Sequence, residues 1–172
     1  IYYKYIIIPT REGVGLSPIM KTVVKIALPI LLTVGSGLAI KGHLVPGGAF
    51  QGGSIIALTF FILGIIYSIY WLGGRGFNVD KMIFLRSLGL MGIFFTAILV
   101  FLIGSIIGVQ AFVFQNQPKE TAPVGLSYIF DKYPATLVIL LFDLFEFLTV
   151  MAGFILLFLI LWASGYKEVL PD

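Results

Sequence analysis

Two carboxylates stand three residues apart inside a long apolar segment near the end of the chain. Asp143 and Glu146 are the only acids in the segment 135–163. Residues with i, i+3 spacing lie on one face of a helix, so the two side chains are predicted to be neighbours. Either carboxyl group could take up and release a proton. Together with Thr149 and backbone carbonyls, the carboxyls also offer the oxygen ligands that hard cations prefer.

The predicted depth of these two acids in the membrane limits how their charges can be accommodated. A charge at the centre of a membrane costs about 2.5 to 3.5 kcal/mol on insertion scales. Counted from Ala135, Asp143 lies about 12 Å and Glu146 about 17 Å into the segment, toward the middle of a hydrocarbon layer about 30 Å thick. No Lys or Arg falls in the interior of another predicted span, so compensation is expected from protonation, a bound ion, water or another subunit. The pair either takes part in a hydrated ion path or docks its helix onto a neighbour in protonated form.

The most distinctive string of the chain is KGHLVPGGAFQGG, at residues 41–53, between two apolar segments. A phosphate-binding loop ends in Gly-Lys-Ser or Gly-Lys-Thr at a strand–helix junction, and this string has neither feature. Nucleotide binding is therefore not expected. The run Pro-Gly-Gly at 46–48 predicts a tight turn, while Gly52 and Gly53 let the following helix start against another backbone. The loop is predicted to be buried and packed.

The single histidine of the chain, His43, lies in this loop. A histidine can exchange a proton near neutral pH, which makes His43 a candidate for proton relay. A lone histidine near a membrane interface is more often a hydrogen-bonded structural residue. Both interpretations of His43 stay open.

The amino-acid composition indicates whether most of the chain is surrounded by water or by lipid. Of its 172 residues, 59% are hydrophobic and 11% are charged, and the mean hydropathy is +1.08. A soluble domain carries about 25% charged residues, so the chain is predicted to be an all-α integral protein of the lipid bilayer. With no cysteine and one histidine, no metal site, resident cofactor or redox chemistry is expected on this chain. The net charge of +3 is scattered rather than clustered, so nucleic acid is not an expected partner.

Four apolar runs are long enough to cross a bilayer. The predicted spans are 22–40, 54–72, 87–110 and 135–163, with Pro134 in the first turn of the last helix. These spans divide the chain into an interfacial extension at 1–21, a membrane domain at 22–163 and a tail at 164–172. Three pairs of small residues at one-turn spacing are predicted to mediate helix contacts. They are Gly35 with Ala39, Gly64 with Ser68, and Gly104 with Gly108.

The distribution of Lys and Arg predicts the orientation of the spans. One side carries Lys4, Arg11, Lys21, Lys25, Arg75, Lys81, Arg86 and Lys167, and the other carries Lys41, Lys119 and Lys132. Basic residues concentrate in cytoplasmic loops, so both termini are predicted to be cytoplasmic and loop 41–53 to face outward.

Loop 41–53 resembles the signature of the B subunits of Mrp-type (MnhB-like) sodium/proton antiporters and of their counterparts in Mrp-derived membrane-bound hydrogenases and sulfane reductases. That signature is Gly-His after the first helix, then Pro-Gly-Gly-Gly-Phe, one residue, and Gly-Gly. The chain matches it at Gly42, His43, Pro46, Gly47, Gly48, Phe50, Gly52 and Gly53. A second match is Leu-Phe-Asp-Leu at 141–144, where the family tends to show a similar Phe-Asp-Leu.

The resemblance covers about residues 20–163 and has departures. Ala49 stands where a third glycine is usual, and Leu44 stands where a polar residue is common. In the last helix, Asp143 has the support of the family pattern, whereas Glu146 falls where an apolar residue is expected. Residues before Met20 look like an extension.

The resemblance implies a small, multi-pass subunit of a hetero-oligomeric complex in the cytoplasmic membrane that exchanges sodium ions for protons. Its partners would be the other Mrp-type subunits, and Na⁺ and H⁺ would be transported ions rather than cofactors. The chain would complete a translocation path and would not be an enzyme. The alternative is a purely structural bridging subunit of a hydrogenase or sulfane reductase type complex. The sequence leaves open whether the complex is a plain antiporter, and the ion stoichiometry.

The orientation can be tested with one introduced cysteine, because the chain has none of its own. In the variant Asn78→Cys, an impermeant thiol reagent is expected to label the chain only when it is applied from the cytoplasmic side. Labelling of Asn78→Cys from the outside of intact cells would show that the orientation is inverted.

Overall fold

The fold of the computed structural model is dominated by four long helices. The structure describes residues 16–42, 44, 48–130 and 133–169. The elements are α1 (Pro18–Lys41), α2 (Ala49–Tyr67), α3 (Ile69–Gly74), α4 (Val79–Ile107), β1 (Ser127–Phe130), β2 (Tyr133–Thr136) and α5 (Leu137–Val169). Helices α1, α2 and α4 and the Leu137–Trp162 part of α5 are long and apolar enough to cross a membrane. The prediction of a helical membrane protein with four spans is confirmed.

The observed helix ends differ from the predicted spans. Helix α2 begins at Ala49 and ends at Tyr67, because Ser68 adopts a positive φ of 94° and breaks the helix before α3. Helix α4 begins at Val79 rather than near residue 87, because buried Val79 and Met82 continue its apolar face while charged neighbours stay exposed.

The start of α5 also differs from the prediction. Pro134 pairs with Ile129 in the hairpin of β1 and β2, so it is not in the first turn of α5. The hairpin was not predicted, and it leads directly into the helix, with the Leu137 N–H donating to the Leu126 carbonyl at 2.8 Å. The predicted domain at 1–21 lies largely outside the described residues. So do His43, Pro46, Gly47 and the last residues of the tail at 164–172.

The four long helices form a row in the order α1, α2, α5, α4. Helix α2 packs on α1 and α5, and α4 packs on α5. The contacts between neighbouring helices show their directions: α1 runs antiparallel to α2, α2 runs parallel to α5, and α4 runs antiparallel to α5. One side of the row therefore holds the end of α1 at Lys41 and the start of α2 at Ala49, here called the α1–α2 junction. The starts of α4 and α1 lie on the opposite side.

Two adjacent glycines let α2 fit between its neighbours. A Cβ on Gly52 would lie 3.0 Å from the Ala39 nitrogen of α1. A Cβ on Gly53 would lie 2.9 Å from the Phe147 carbonyl oxygen of α5. Successive residues of a helix point about 100° apart, so the two glycines face two different helices. At both places backbone packs on backbone, which leaves no room for a side chain.

The predicted small-residue pairs behave differently from one another. Gly35 packs against the Ile56 side chain of α2, and Gly64 packs against the Phe158 ring of α5. Gly104 and Gly108 instead end their own helix. Gly108 has a positive φ of 77° and caps α4, with its N–H donating to the Gly104 carbonyl. The third pair is therefore a helix terminus rather than a helix contact, because glycine adopts the left-handed conformation without strain.

The apolar core lies toward the opposite side of the row, away from the α1–α2 junction. Its buried members include Val24, Leu63, Ile66, Ile69, Leu72, Val79, Met82, Ile155 and Leu159. Large apolar side chains cover the outer faces, with exposed fractions of 75% at Ile19 and 85% at Ile106. Such faces suit lipid or a neighbouring subunit.

A buried glutamine organises the loop between α4 and β1. Gln115 is 4% exposed, and its Oε1 accepts a hydrogen bond from the Phe112 N–H at 2.9 Å. Its Nε2 donates to the carbonyls of Ala122 at 2.7 Å and Val124 at 2.6 Å. One side chain therefore satisfies three backbone groups of the loop.

The close approach of α2 and α5 predicts a large effect from one methyl group. In Gly53→Ala the new Cβ would overlap the α5 backbone, so the two helices must move apart. We expect a lower melting temperature in detergent and less chain in the assembled membrane fraction.

Gly37→Ala is the matched control, because a Cβ on Gly37 would meet no atom within 4 Å. Alanine is favoured over glycine in a helix by about 1 kcal/mol, so this control should be neutral or slightly stabilising. Equal melting temperatures for the two variants would contradict the packing described here.

Candidate functional site

The polar residues of α5 follow one flank of the helix. Asp143, Glu146 and Thr149 are each separated by three residues, so they form a stripe of about 9 Å along the helix axis. Gly153 continues this flank one turn further. Thr149 and Gly153 line a groove between α2 and α4, and Asp143 and Glu146 precede this groove on the same flank of α5.

The Asp143 carboxyl meets the α1–α2 junction. Its Oδ2 atom is buried. A Cβ on Gly42 would lie 3.2 Å from this oxygen, 3.1 Å from the Ala49 nitrogen and 3.1 Å from the Gly48 Cα. The end of α1, the start of α2 and α5 therefore converge around one carboxyl group, from positions about a hundred residues apart in the sequence.

The start of α2 provides a favourable environment for a negative charge at Asp143. The first backbone N–H groups of a helix have no partner within the helix, and the macrodipole makes this end positive. At the start of α2, the Gly48 N–H donates to the Gln51 Oε1 at 2.8 Å. The Ala49 nitrogen lies beside Gly42, on the side that Asp143 occupies.

The depth of Asp143 differs from the prediction. Because α5 begins at Leu137, Asp143 lies about 9 Å from the start of the helix. It is also level with the ends of two neighbouring spans, Lys41 of α1 and Ala49 of α2. Asp143 therefore lies near one boundary of the helix row rather than toward its middle. Glu146, one turn deeper, is half-buried.

Thr149 lies where α5 meets α4. Its hydroxyl donates to the Phe145 carbonyl in its own helix at 2.8 Å, so the hydroxyl oxygen keeps lone pairs for a further donor or a cation. Gly89 of α4 packs directly on the Thr149 side chain, in a space that a Cβ would fill. Among the described residues, no group of three or more His, Cys, Asp or Glu side chains could hold a metal ion. Thr149 and backbone carbonyls would have to complete the shell of any cation held by the two acids.

Arg86 is the residue that the sequence analysis missed. It was counted among the basic residues of the cytoplasmic loops, but it is the eighth residue of α4. Its Cδ and Nε lie 3.9 Å from the position that a Cβ of Gly153 would occupy. Arg86 therefore reaches α5 from inside α4, one residue before the predicted span 87–110.

The signal for Arg86 was present in the sequence. Val79, Met82 and Gly89 recur at helical spacing and continue the apolar face of α4 upstream of residue 87. The cluster of charged residues in the same segment hid this periodicity.

Two cavities divide the groove along α5 into a polar half and an apolar half. The first, of about 340 Å³, is lined by Phe50, Arg86, Thr149, Val150, Gly153, Phe154 and Leu157. The second, of about 490 Å³, follows it toward Trp162 and is lined mainly by Leu58, Phe61, Phe154, Leu157, Leu161 and Trp162. Polar side chains thus occupy the half near the α1–α2 junction, and apolar ones occupy the other half.

Four residues of the signature loop have different environments in the structure. They are Gly48, Phe50, Gly52 and Gly53. Phe50 is 49% exposed and lines the polar half of the groove. Gly52 and Gly53 are packed inside α2 rather than in the loop. A Cβ on Gly48 would meet only the Gln51 Oε1, at 3.6 Å, so Gly48 has room for a side chain.

Comparison with known proteins agrees with this architecture. A family model described as a domain related to the MnhB subunit of Na⁺/H⁺ antiporters matches residues 19–156. A Staphylococcus saprophyticus protein whose name describes it as an antiporter subunit, mnhB2, is 39% identical over 51 residues. That match covers 30% of this chain and 36% of the relative, so the chain spans about a third of the relative's length.

The family match extends from the start of α1 into the second half of α5. It therefore includes the α1–α2 junction, Arg86 and the polar stripe of α5. Because the match covers most of the chain, the protein belongs to the family of MnhB-related membrane domains.

Proposed function

We propose that the chain is a subunit of an Mrp-type sodium/proton antiporter in the cytoplasmic membrane, assembled with the other subunits of that complex. Its contribution is a segment of the ion path rather than enzymatic chemistry, with Na⁺ and H⁺ as transported ions. The description of the matched family and the name of the staphylococcal relative both support this assignment.

The observation that carries the proposal is the position of the Asp143 carboxyl. Its buried Oδ2 lies beside Gly42, where the end of α1 and the start of α2 pack closely around it. A carboxyl group placed at the meeting point of three helix segments can bind a proton or a cation that arrives from the α1–α2 junction. We therefore assign Asp143 as the entry group of the path.

Glu146 and Thr149 extend the path along α5. Each lies one helical turn beyond the previous residue, so successive oxygen groups are separated by about 5 Å of helix rise. A proton can pass between such groups through a bridging water, and a sodium ion can exchange one oxygen ligand at a time. A hydrated groove also lowers the cost of placing carboxylates within a membrane protein. His43, which lies outside the described residues, stays a candidate relay from its position in the sequence between α1 and α2.

The competing function is structural. Asp143 lies where α1, α2 and α5 meet, so a protonated carboxyl could simply hold these helices together or dock the chain onto a neighbour. The chain would then bridge subunits of a hydrogenase or sulfane reductase type complex without touching ions. The two functions require different properties of Asp143: the first needs a group that gains and loses charge, and the second needs only its shape and hydrogen bonds.

Replacing Asp143 by asparagine separates these functions. Asparagine keeps the shape and hydrogen-bonding capacity of the neutral acid but removes the titrating charge. In proteoliposomes that contain the intact complex, we expect Asp143→Asn to lower sodium-dependent proton flux at least tenfold while the subunit composition stays unchanged. Glu146→Gln should act in the same direction.

Asp80→Asn is the matched control, because Asp80 is an exposed acid in the first turn of α4 and lies outside the groove. It should leave flux at the wild-type rate. An assembled Asp143→Asn complex that exchanges ions at the wild-type rate across the pH range would remove Asp143 from the path and favour the structural function.

A further inference from the structure

We propose that the groove along α5 is a half-channel that opens at the α1–α2 junction and ends at Arg86. This inference deepens the proposed function and rests on it, because it states how far an ion can travel within this chain. The ion or proton must then leave sideways, between α2 and α4, into a neighbouring subunit. The chain alone provides access from one side of the membrane only.

The groove is open along one flank in this chain. Its floor is α5, and its walls are Phe50 of α2 and Arg86 of α4. The groove is lined by a hydroxyl and a guanidinium group, and the Glu146 carboxyl precedes it by one turn of α5, so this flank cannot face hydrocarbon without a large cost. A neighbouring subunit must therefore supply the fourth wall, and that wall is also the exit of the half-channel.

Arg86 marks the inner end of the polar half. A guanidinium group keeps its positive charge at any physiological pH, so it repels cations permanently. The Arg86 Cδ and Nε lie 3.9 Å from the position that a Cβ of Gly153 would occupy, which is an ordinary van der Waals distance. Gly153 is one turn beyond Thr149, and Trp162 is nine residues further, about 14 Å along α5. The positive charge therefore lies deep within the span.

Beyond Arg86 the groove offers almost nothing to a hydrated ion. The second cavity is bounded by Leu58, Phe61, Leu157 and Leu161. Its one side-chain hydroxyl, that of Ser54, already donates to the Phe50 carbonyl at 2.8 Å. Water has too few polar partners here to form a continuous file. A fixed positive charge and an apolar segment thus close the same end of the groove.

Cysteine accessibility tests the half-channel in the intact complex. The chain has no cysteine, so Thr149→Cys and Val150→Cys report on the polar half and Leu58→Cys, which lines only the second cavity, reports on the apolar half. Labelling by an impermeant thiol reagent is followed on this chain by gel shift. Two reference variants identify the side from which the reagent arrives. Lys41→Cys is labelled by reagent at the α1–α2 junction, and Asn78→Cys is labelled by reagent on the opposite side.

We expect Thr149→Cys and Val150→Cys to be labelled from the Lys41 side at least tenfold faster than from the Asn78 side. Leu58→Cys should be labelled at least tenfold more slowly than Thr149→Cys from either side. Met91→Cys, on the exposed face of α4 away from the groove, controls for reagent that partitions into lipid. Equal labelling of Thr149→Cys from both sides, or fast labelling of Leu58→Cys, would overturn the half-channel.

A second measurement tests Arg86 as the electrostatic end. In the Thr149→Cys background, Arg86→Gln should raise the labelling rate of a cationic reagent about tenfold and lower that of an anionic reagent by a similar factor, so the ratio of the two rates should change about a hundredfold. For each reagent, a unit charge about 10 Å away has an effect of about tenfold at an effective dielectric constant near 20. Arg86→Lys keeps the charge and should leave the ratio of rates unchanged.

Lys81→Gln is the matched control, because it removes a positive charge from the exposed start of α4, outside the groove. An unchanged ratio in Arg86→Gln would overturn the assignment of Arg86. These labelling results do not depend on ion flux. A normal flux in Asp143→Asn with one-sided labelling would reject the proposed ion path, whereas lost flux with two-sided labelling would reject only the half-channel.

Discussion

The contact on which the structure depends is the close approach of α2 to α1 on one side and to α5 on the other. Gly52 and Gly53 allow it, because neither has a Cβ to hold the neighbouring backbone away. Each glycine costs about 1 kcal/mol of helix stability relative to alanine. In return, α2 lies between two helices, and its first turn is placed beside the Asp143 carboxyl of a helix about a hundred residues away in the chain.

The distribution of polarity follows from this packing. The core fills the side of the row opposite the α1–α2 junction, with members such as Ile66, Met82 and Leu159. Charged and hydroxyl groups therefore collect in the groove over the first half of α5, where α2 and α4 leave α5 uncovered. Lipid cannot cover such a groove at low cost, which is why we propose that water and a neighbouring subunit cover it. The proposed function and the proposed half-channel are consequences of one arrangement of helices.

Glycine has two separate functions in this small protein, which its position in the fold decides. Gly52 and Gly53 permit backbone contacts, and Gly108 ends α4 in a left-handed conformation. A glycine in an apolar segment does not reveal which of these applies, because the function depends on the helix that packs against it.

The class of the protein, the number of spans and the two acids on one face of the last helix can be predicted from the amino-acid sequence. These follow from composition and from periodicity along a single segment, which are local properties. The position of Asp143 at the α1–α2 junction and that of Arg86 beside Gly153 emerge only when the helices are packed together. Both depend on the offset between neighbouring helices, and this offset is set by packing between residues that are far apart in the chain.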